Sequence, residues 1–516
     1  MNVFKQRRML HLSKKCYQSK LMNRRNKKMI ERKIPNVLDQ SPINIGSRVE
    51  MFVDKYLIDK MFDVSLKLHH PVKENVAIPY DKPWEGAGSG QYPSAFFDGE
   101  RYRFYYRATS PAVAADRSDW VEEQYTCLAF SDDGIHWEKP EFGIVEFEGN
   151  KNNNIVFEGQ MAHNFTPFLD TNPNCPPEKK FKAIAGNRKT GLHAYSSADG
   201  IHWEDMSDDA ITRDGQFDSQ NLAFYDPNID GYVLYSRYFA APIDAAKEEQ
   251  DGSFREPGAE GKCHDLSIGI RAIQSAVSPD LLHWSSQTPN SYRKGVPLEQ
   301  FYTNATTLCP GAEHMYISSP MRFMYDRHRV ACHPHPGVSD CVLLTSRDGV
   351  HFERTFMEGW IRPDLSERSW TQRNYPAAFG ILETSPEEFS LYVMEHYEWD
   401  DCCTRRFSIR RHGFASVNAP YAGGKFVTKP FIFTGKELHL NYATSAAGHI
   451  RVGIVDDGTR WPACDFSTED CDIIYGNDLD RVVTWKGSSD LSQFEGKAIR
   501  LRFDMKDADL FAIQFK

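Results

Sequence analysis

An all-β protein, a five-bladed β-propeller followed by a C-terminal β-sandwich, is the fold this sequence predicts, and three observations carry the prediction. One short motif recurs four times, the segments between its copies alternate apolar and polar residues, and from about residue 425 the motif is gone while alternating strands continue. The 516 residues include 41% hydrophobic and 13% aromatic residues, enough for large cores and weighted toward strand formers. Helical periodicity is weak throughout.

The motif comes first, because internal repeats decide architecture before local propensity does. Ser131-Asp132-Asp133-Gly134-Ile135-His136-Trp137 recurs from Ser197 to Trp203, in a weaker form from Ser278 to Trp284, and from Ser346 to Phe352. Each copy follows an apolar or alternating run. Its Asp-Gly pair supplies a tight turn that glycine's free φ makes cheap, with Asp280-Leu281 standing there in the weak copy. The aromatic residue after the histidine opens the next short strand and is placed to pack between neighbouring sheets. Four histidines at equivalent places in separate units read as structural, not as metal ligands.

A second hairpin opens each unit, beginning at Tyr92, Asn164, Ser219, Asn304 and Tyr375. Two hairpins make four strands, which is one propeller blade, so five blades follow. Blade five lacks the motif, and the segment from Val49-Glu50-Met51 to Leu66-Lys67-Leu68 is expected to supply its outer strand and close the ring. The expected division is a disordered basic N-terminal arm over residues 1–45, the propeller over 46–424 and the sandwich over 425–516, where strands such as Phe431-Ile432-Phe433 and Ile450-Arg451-Val452 alternate between Gly/Asp turns.

A formal net charge of −10 excludes nucleic acid as the main partner, since phosphate binding needs a cationic face. No run is long and apolar enough to span a membrane, and none has the apolar core of a secretory leader, so a cytoplasmic location is the expectation. Eleven cysteines without a CxxC pair read as reduced structural thiols. No metal site and no cofactor is called for, although a structural calcium ion on the propeller axis is compatible with the sequence. Oligomeric state is not legible.

With the repeat in hand, the chain resembles the clan of five-bladed propeller glycosidases that includes glycoside hydrolase families 32 and 43, the former with a C-terminal sandwich. Phe52-Val53-Asp54-Lys55-Tyr56-Leu57-Ile58, His163-Asn164-Phe165-Thr166-Pro167-Phe168, Phe217-Asp218-Ser219-Gln220-Asn221 and Phe466-Ser467-Thr468-Glu469-Asp470-Cys471 resemble bacterial family-32-like proteins. The resemblance implies a carbohydrate partner and a glycoside-cleaving pocket at the propeller centre. It also implies acids at the starts of the first three innermost strands. Gln91 and Asn164 stand at two of those places and only Asp218 matches; the fructosidase motif Trp-Met-Asn-Asp-Pro-Asn is absent.

Propeller topology itself nominates a site, because the innermost strands start, the second strands end and the third strands start at one mouth of the channel. The innermost starts give Gln91, Tyr92, His163, Asn164, Asp218, Tyr302, Asn304 and Asn374, the last beside Arg373. Second-strand ends give Arg107, Arg237, Arg322 and the pair Glu395-His396, and third-strand starts give Glu123 and Asp340. Glycoside hydrolysis ordinarily needs two carboxyl groups, so Asp218 is the first choice for general acid, with Glu123, Asp340 or Glu85 as its partner. The bland alternative for Asp218 is a blade-linking acid, and for Glu123 and Asp340 an exposed loop carboxylate. An arginine set at one topological position points to an anionic or heavily hydroxylated sugar, against the alternative of inter-blade ion pairs. The expected function is therefore a glycoside hydrolase-like protein acting on a small or terminal, anionic glycan. The competing readings are a non-catalytic carbohydrate-binding propeller and a sugar lyase using His163 and Tyr302.

Overall fold

Five antiparallel sheets follow one another around a ring. The computed structural model describes residues 30, 41–109, 124–241, 252–255, 269–333, 335–458 and 461–516. Blade one is formed by Ser94–Phe97, Tyr102–Thr109, Gln124–Ser131 and Ile155–Glu158, and blade two by Thr166–Leu169, Phe181–Asn187, Gly191–Ser197 and Glu204–Asp205. Leu222–Asp226, Gly231–Ala240, Ile270–Ser278 and Thr288–Pro289 make blade three. Blade four is built on Thr306–Cys309, Ala312–Ser318, Leu344–Ser346 and His351–Glu353, and adds Ser291–Arg293 in parallel at its outer edge. Leu382–Glu383, Glu388–Glu395, Cys403–Arg410 and Val72–Pro79 make blade five.

The repeated turn works as its chemistry predicts. Asp133 Oδ1 accepts from the amides of Ile135 (2.7 Å) and His136 (2.8 Å), while Ser131 Oγ accepts from Gly134 N at 2.9 Å. Gly134, Gly200 and Gly349 have φ of 71°, 77° and 73°. A second constraint also demands glycine. Tyr105 of blade one donates to Gly200 O (2.9 Å), Tyr235 of blade three to Gly349 O (2.8 Å), and Tyr392 of blade five to Gly134 O. A Cβ on Gly200 would lie 2.5 Å from the Tyr105 hydroxyl oxygen. The tyrosine of one blade thus reads the turn of another, and the last such contact ties blade five back to blade one. A parallel bridge between Ser94 and Phe379 joins the same two blades.

Ring closure comes from a strand later than expected. Val72–Pro79 pairs with Cys403–Arg410 as the outer strand of blade five. The segment expected there lies instead in the C-terminal domain: Glu50–Met51 pairs with Ala512–Ile513, Ile58–Phe62 with Gly424–Thr428, and Ser65–Leu68 with Ala415–Ala419. Burial explains the choice. Val53, Phe52 and Leu57 are fully buried, which suits strands enclosed between layers, whereas Val72 and Val76 are exposed, which an outermost blade strand tolerates. Of the expected N-terminal arm, all but Ile30 and residues 41–45 lie outside the described residues, and Ile43–Gly46 is a strand parallel to Phe431–Phe433.

Two long strands, Leu438–Asp456 and Ile499–Phe515, pair along most of their length, with the register shifting between Thr444 and His449. Ten strands in all wrap around Phe426, Phe431, Phe433, Ile450, Phe503 and Phe515, which are fully buried.

Candidate functional site

The site is assembled at the mouth where the innermost strands begin, and the backbone there is unusual. Tyr92, Phe217, Ala305, Arg373 and Tyr375 hold φ of 55°, 53°, 41°, 56° and 66°. A non-glycine residue in this region costs roughly 1–2 kcal/mol. Such residues persist where surrounding structure over-determines them, and here they precede the innermost strands of blades one, three, four and five.

Four guanidinium groups converge with three phenols. The Cζ atoms of Arg237, Arg271 and Arg373 lie 4.9, 5.0 and 5.7 Å from the centre of the half-buried Tyr302 ring. Arg373 Nη1 donates to the Tyr397 hydroxyl at 3.0 Å. Beside them, Arg107 Cζ is 5.3 Å from the Tyr92 ring, and its Nη1 is 3.4 Å from His163 Nδ1, which also meets Gln124 Oε1 at 2.8 Å. The one carboxylate among the described residues that pairs within this group is Asp218, 3.0 Å from Arg237 Nη2 and 51% exposed.

Burial and charge together shift several titrating groups here. Burial and the cations Arg107, Arg373 and Arg237 push the His163 imidazole down to about 3, so it is neutral at physiological pH. Burial and the neighbouring Tyr302 raise the Tyr92 phenol to about 12. Burial also acts to raise Tyr302, but Arg373, Arg237 and Arg271 outweigh it and hold that phenol below its usual value. Arg271 is itself lowered by burial and by Arg237 and Arg373. Arg271 gives Nη1 to Gln300 Oε1 at 3.2 Å, and no carboxylate pairs with Arg271 or Arg373 among the described residues. Among the described residues the cluster carries more positive than negative charge, and such a cluster, partly out of water, is costly until an anion completes it.

Of the residues nominated from sequence, Tyr92, Arg107, His163, Asp218, Arg237 and Tyr302 come together. Arg322 and Asp340 do not join them. Pro320, which has no amide N–H, follows the end of the second strand of blade four, and Arg322 falls on a separate hairpin opposite Asp340. There Arg322 Nε meets Asp340 Oδ1 at 2.8 Å and Nη1 meets Glu299 at 2.7 Å, so both residues are spent on an ion-pair network.

Four amides nominated as sugar ligands are buried and hydrogen-bond to groups of the protein itself. Asn164 Nδ2 donates to the carbonyls of Gly186, Phe217 and Ser219 at 2.7, 2.6 and 2.9 Å, and its Oδ1 accepts from Gly186 N. Asn374 bridges Thr371 and the amide of Tyr397. Asn304 caps Thr306, and Gln91 donates to the carbonyl of Arg373 at 3.3 Å. Each is almost fully buried. Glu85 pairs with Lys139 at 2.6 Å inside blade one, and Glu123 lies outside the described residues.

Arg271 and Tyr397 were not foreseen. Arg271 starts the third strand of blade three, but the long insertion before it hides that start from a repeat-based reading. Tyr397 follows the end of the second strand of blade five, one residue beyond the Glu395-His396 pair. Among the described residues no group of three or more His, Cys, Asp or Glu is placed to hold a metal ion, and no helix is long and apolar enough to cross a membrane.

No protein-family model matches the chain, and no curated protein matches it. Solved structures that it resembles include a protein described as a glycoside hydrolase, with TM-score 0.43 and 10% identity over 66% of this chain and 92% of that one. A GH43_1 enzyme from Xanthomonas citri complexed with xylose gives TM-score 0.38 and 11% identity over 65% and 90%. A fructofuranosidase from Schwanniomyces occidentalis complexed with fructosylnystose gives TM-score 0.35 and 10% identity over 93% and 98%.

Proposed function

We propose that this chain is a carbohydrate-active enzyme of the glycoside-cleaving kind, taking a small or terminal anionic glycan in the mouth of its propeller. The observation that carries the reading is the arginine group around Tyr302, in which Arg271 and Arg373 have no carboxylate of their own among the described residues. A planar guanidinium accepts a carboxylate or sulfate in two parallel hydrogen bonds, and a ligand anion removes the cost of gathering these cations. Asp218 is exposed beside them. Paired with Arg237 at 3.0 Å, it is placed for a base or charge-stabilising role rather than the general-acid role expected from sequence.

A second reading, a binding propeller without chemistry, is favoured by the single carboxylate that the described residues bring to the cluster, since hydrolysis ordinarily uses two. A glycan panel separates the two. The parent should release sugar from anionic glycans, and Arg373→Ala should bind them about 10–100-fold more weakly, the worth of one charge-assisted hydrogen bond. Asp218→Asn should turn over at least about 10-fold more slowly. Tight binding by the parent without release from any glycan supports the binding module, and equal turnover by Asp218→Asn removes Asp218 from the machinery.

A further inference from the structure

Resting on the reading just given, we propose that the anionic glycan carries a uronate, and that Tyr302 is the acid–base residue that cleaves its glycosidic bond by β-elimination, with no water consumed. Two of the three partners nominated for hydrolysis are engaged elsewhere, Asp340 by Arg322 and Glu85 by Lys139, and the third, Glu123, lies outside the described residues. What stands at the mouth is a phenol with three guanidinium groups within 6 Å of its ring centre. That combination suits a carbon acid. Hydrogen on the carbon next to a carboxyl group is hard to remove because the resulting carbanion pushes charge onto an already negative carboxylate. Arg271 and Arg373, which have no carboxylate partner among the described residues, neutralise that charge and stabilise the enolate-like transition state, in the manner of a preorganised charge site.

The step balances within the site. Tyr302 phenolate takes the proton from C5 of the uronate, the electron pair left behind forms the C4=C5 double bond, and the C4–O bond to the leaving sugar breaks. The leaving oxygen takes the proton from the Tyr302 hydroxyl, which returns to phenolate. Neither oxidant nor cofactor enters. The same three cations that would hold the carboxylate hold the Tyr302 phenol below its usual value, so substrate binding and base generation share one cause. His163, kept neutral beside Arg107, adds no competing positive charge.

The full chain is incubated in ¹⁸O-labelled water with oligosaccharides bearing uronate at the cleaved position and with their carboxyl-reduced counterparts. The expected products, from the uronate substrates alone, are an ultraviolet-absorbing unsaturated uronate and a released sugar labelled no more than exchange at its anomeric oxygen gives. Tyr302→Phe should lose about 10²–10⁴ in turnover while its dissociation constant for the uronate stays within a few-fold. Saturated products carrying ¹⁸O would overturn the elimination and leave the glycoside-cleaving reading standing. Equal cleavage of the carboxyl-reduced glycans would overturn the uronate assignment, and full turnover by Tyr302→Phe would overturn the role of Tyr302. Absence of both binding and cleavage across the whole panel would sink this proposal together with the reading it rests on.

Discussion

Tyr302 and His163 share a mouth and the same set of cations, yet the cations act on them in opposite senses. A phenol becomes negative when it loses its proton and is helped by nearby guanidinium groups, whereas an imidazole becomes positive when it gains one and is opposed by them. The consequence is a pH profile without a histidine step. With His163 brought down to about 3, kcat/KM on an anionic glycan should show no limb near the ordinary histidine value of about 6.5. It should instead rise with pH toward a limb below the ordinary tyrosine value of about 10, because the deprotonated phenol is the active form. A limb near 6.5 that disappears in His163→Gln would show that the histidine is charged in the working protein. Arginine identity matters for the same reason: a lysine in place of Arg373 keeps the charge but loses the fork that meets a planar carboxylate.

At the scale of the element, the recurring turn is a structural device with no part in the chemistry. Asp348, in the copy on blade four, accepts from the amides of Val350 and His351 at 2.8 Å each and is held near His351 Nδ1 at 2.7 Å. Its carboxylate is nearly buried, so Asp348→Ala should cost about 1–3 kcal/mol, read as a lower denaturant midpoint at an unchanged slope. Affinity for the anionic glycan should not move. The weak copy shows why the motif tolerates exceptions. Leu281 stands where the others have glycine and holds φ of 67°, a strained value for leucine, but its side chain is fully buried in the core of blades three and four. Burying a leucine is worth roughly 1.5–3 kcal/mol, enough to offset the strain.

At the scale of the whole molecule, one buried carboxylate ties the sandwich to blade four. Glu50, on a strand of the sandwich, meets Arg347 Nη1 at 2.8 Å and Arg48 Nε at 2.6 Å, and His314 of blade four lies 3.5 Å away. Arg347 belongs to the blade-four turn, and its guanidinium lies 3.8 Å from the Tyr56 ring and 3.4 Å from Asp54. Burial alone would raise the Glu50 carboxyl, but Arg347, His314 and Arg48 together hold it well below its usual range. Because the folded value is depressed, the unfolded chain binds more protons between the two values. The stabilisation is therefore present above the ordinary glutamate value of about 4.3 and is lost as pH falls from there through the folded value. Arg347→Ala removes one of the two guanidinium groups on Glu50 and the cation beside Asp54, and should cost about 3 kcal/mol, seen in thermal or denaturant unfolding at neutral pH. The acid-dependent loss of stability should be smaller in that variant than in the parent.

The propeller, its blade count and the C-terminal sandwich were legible from the chain because a repeated turn and a period-two pattern are local properties. So were Tyr92, Arg107, His163, Asp218, Arg237 and Tyr302, which keep fixed offsets from strand ends that the repeat reveals. Tertiary structure decided what happens where the repeat is interrupted. Pro320 moved Arg322 off the second strand of blade four onto a hairpin opposite Asp340, a long insertion hid Arg271, and competition between two edges gave Val72–Pro79 to blade five and the earlier segment to the sandwich. It also decided what the amides do. Asn164 and Asn374 sit at the right strand starts, but whether an amide faces a sugar or a neighbouring carbonyl depends on how blades pack, which no offset encodes. The charge balance around Tyr302 is of the same kind: it comes from arginines on blades three and five, distant in sequence, and only the closed ring brings them to one phenol.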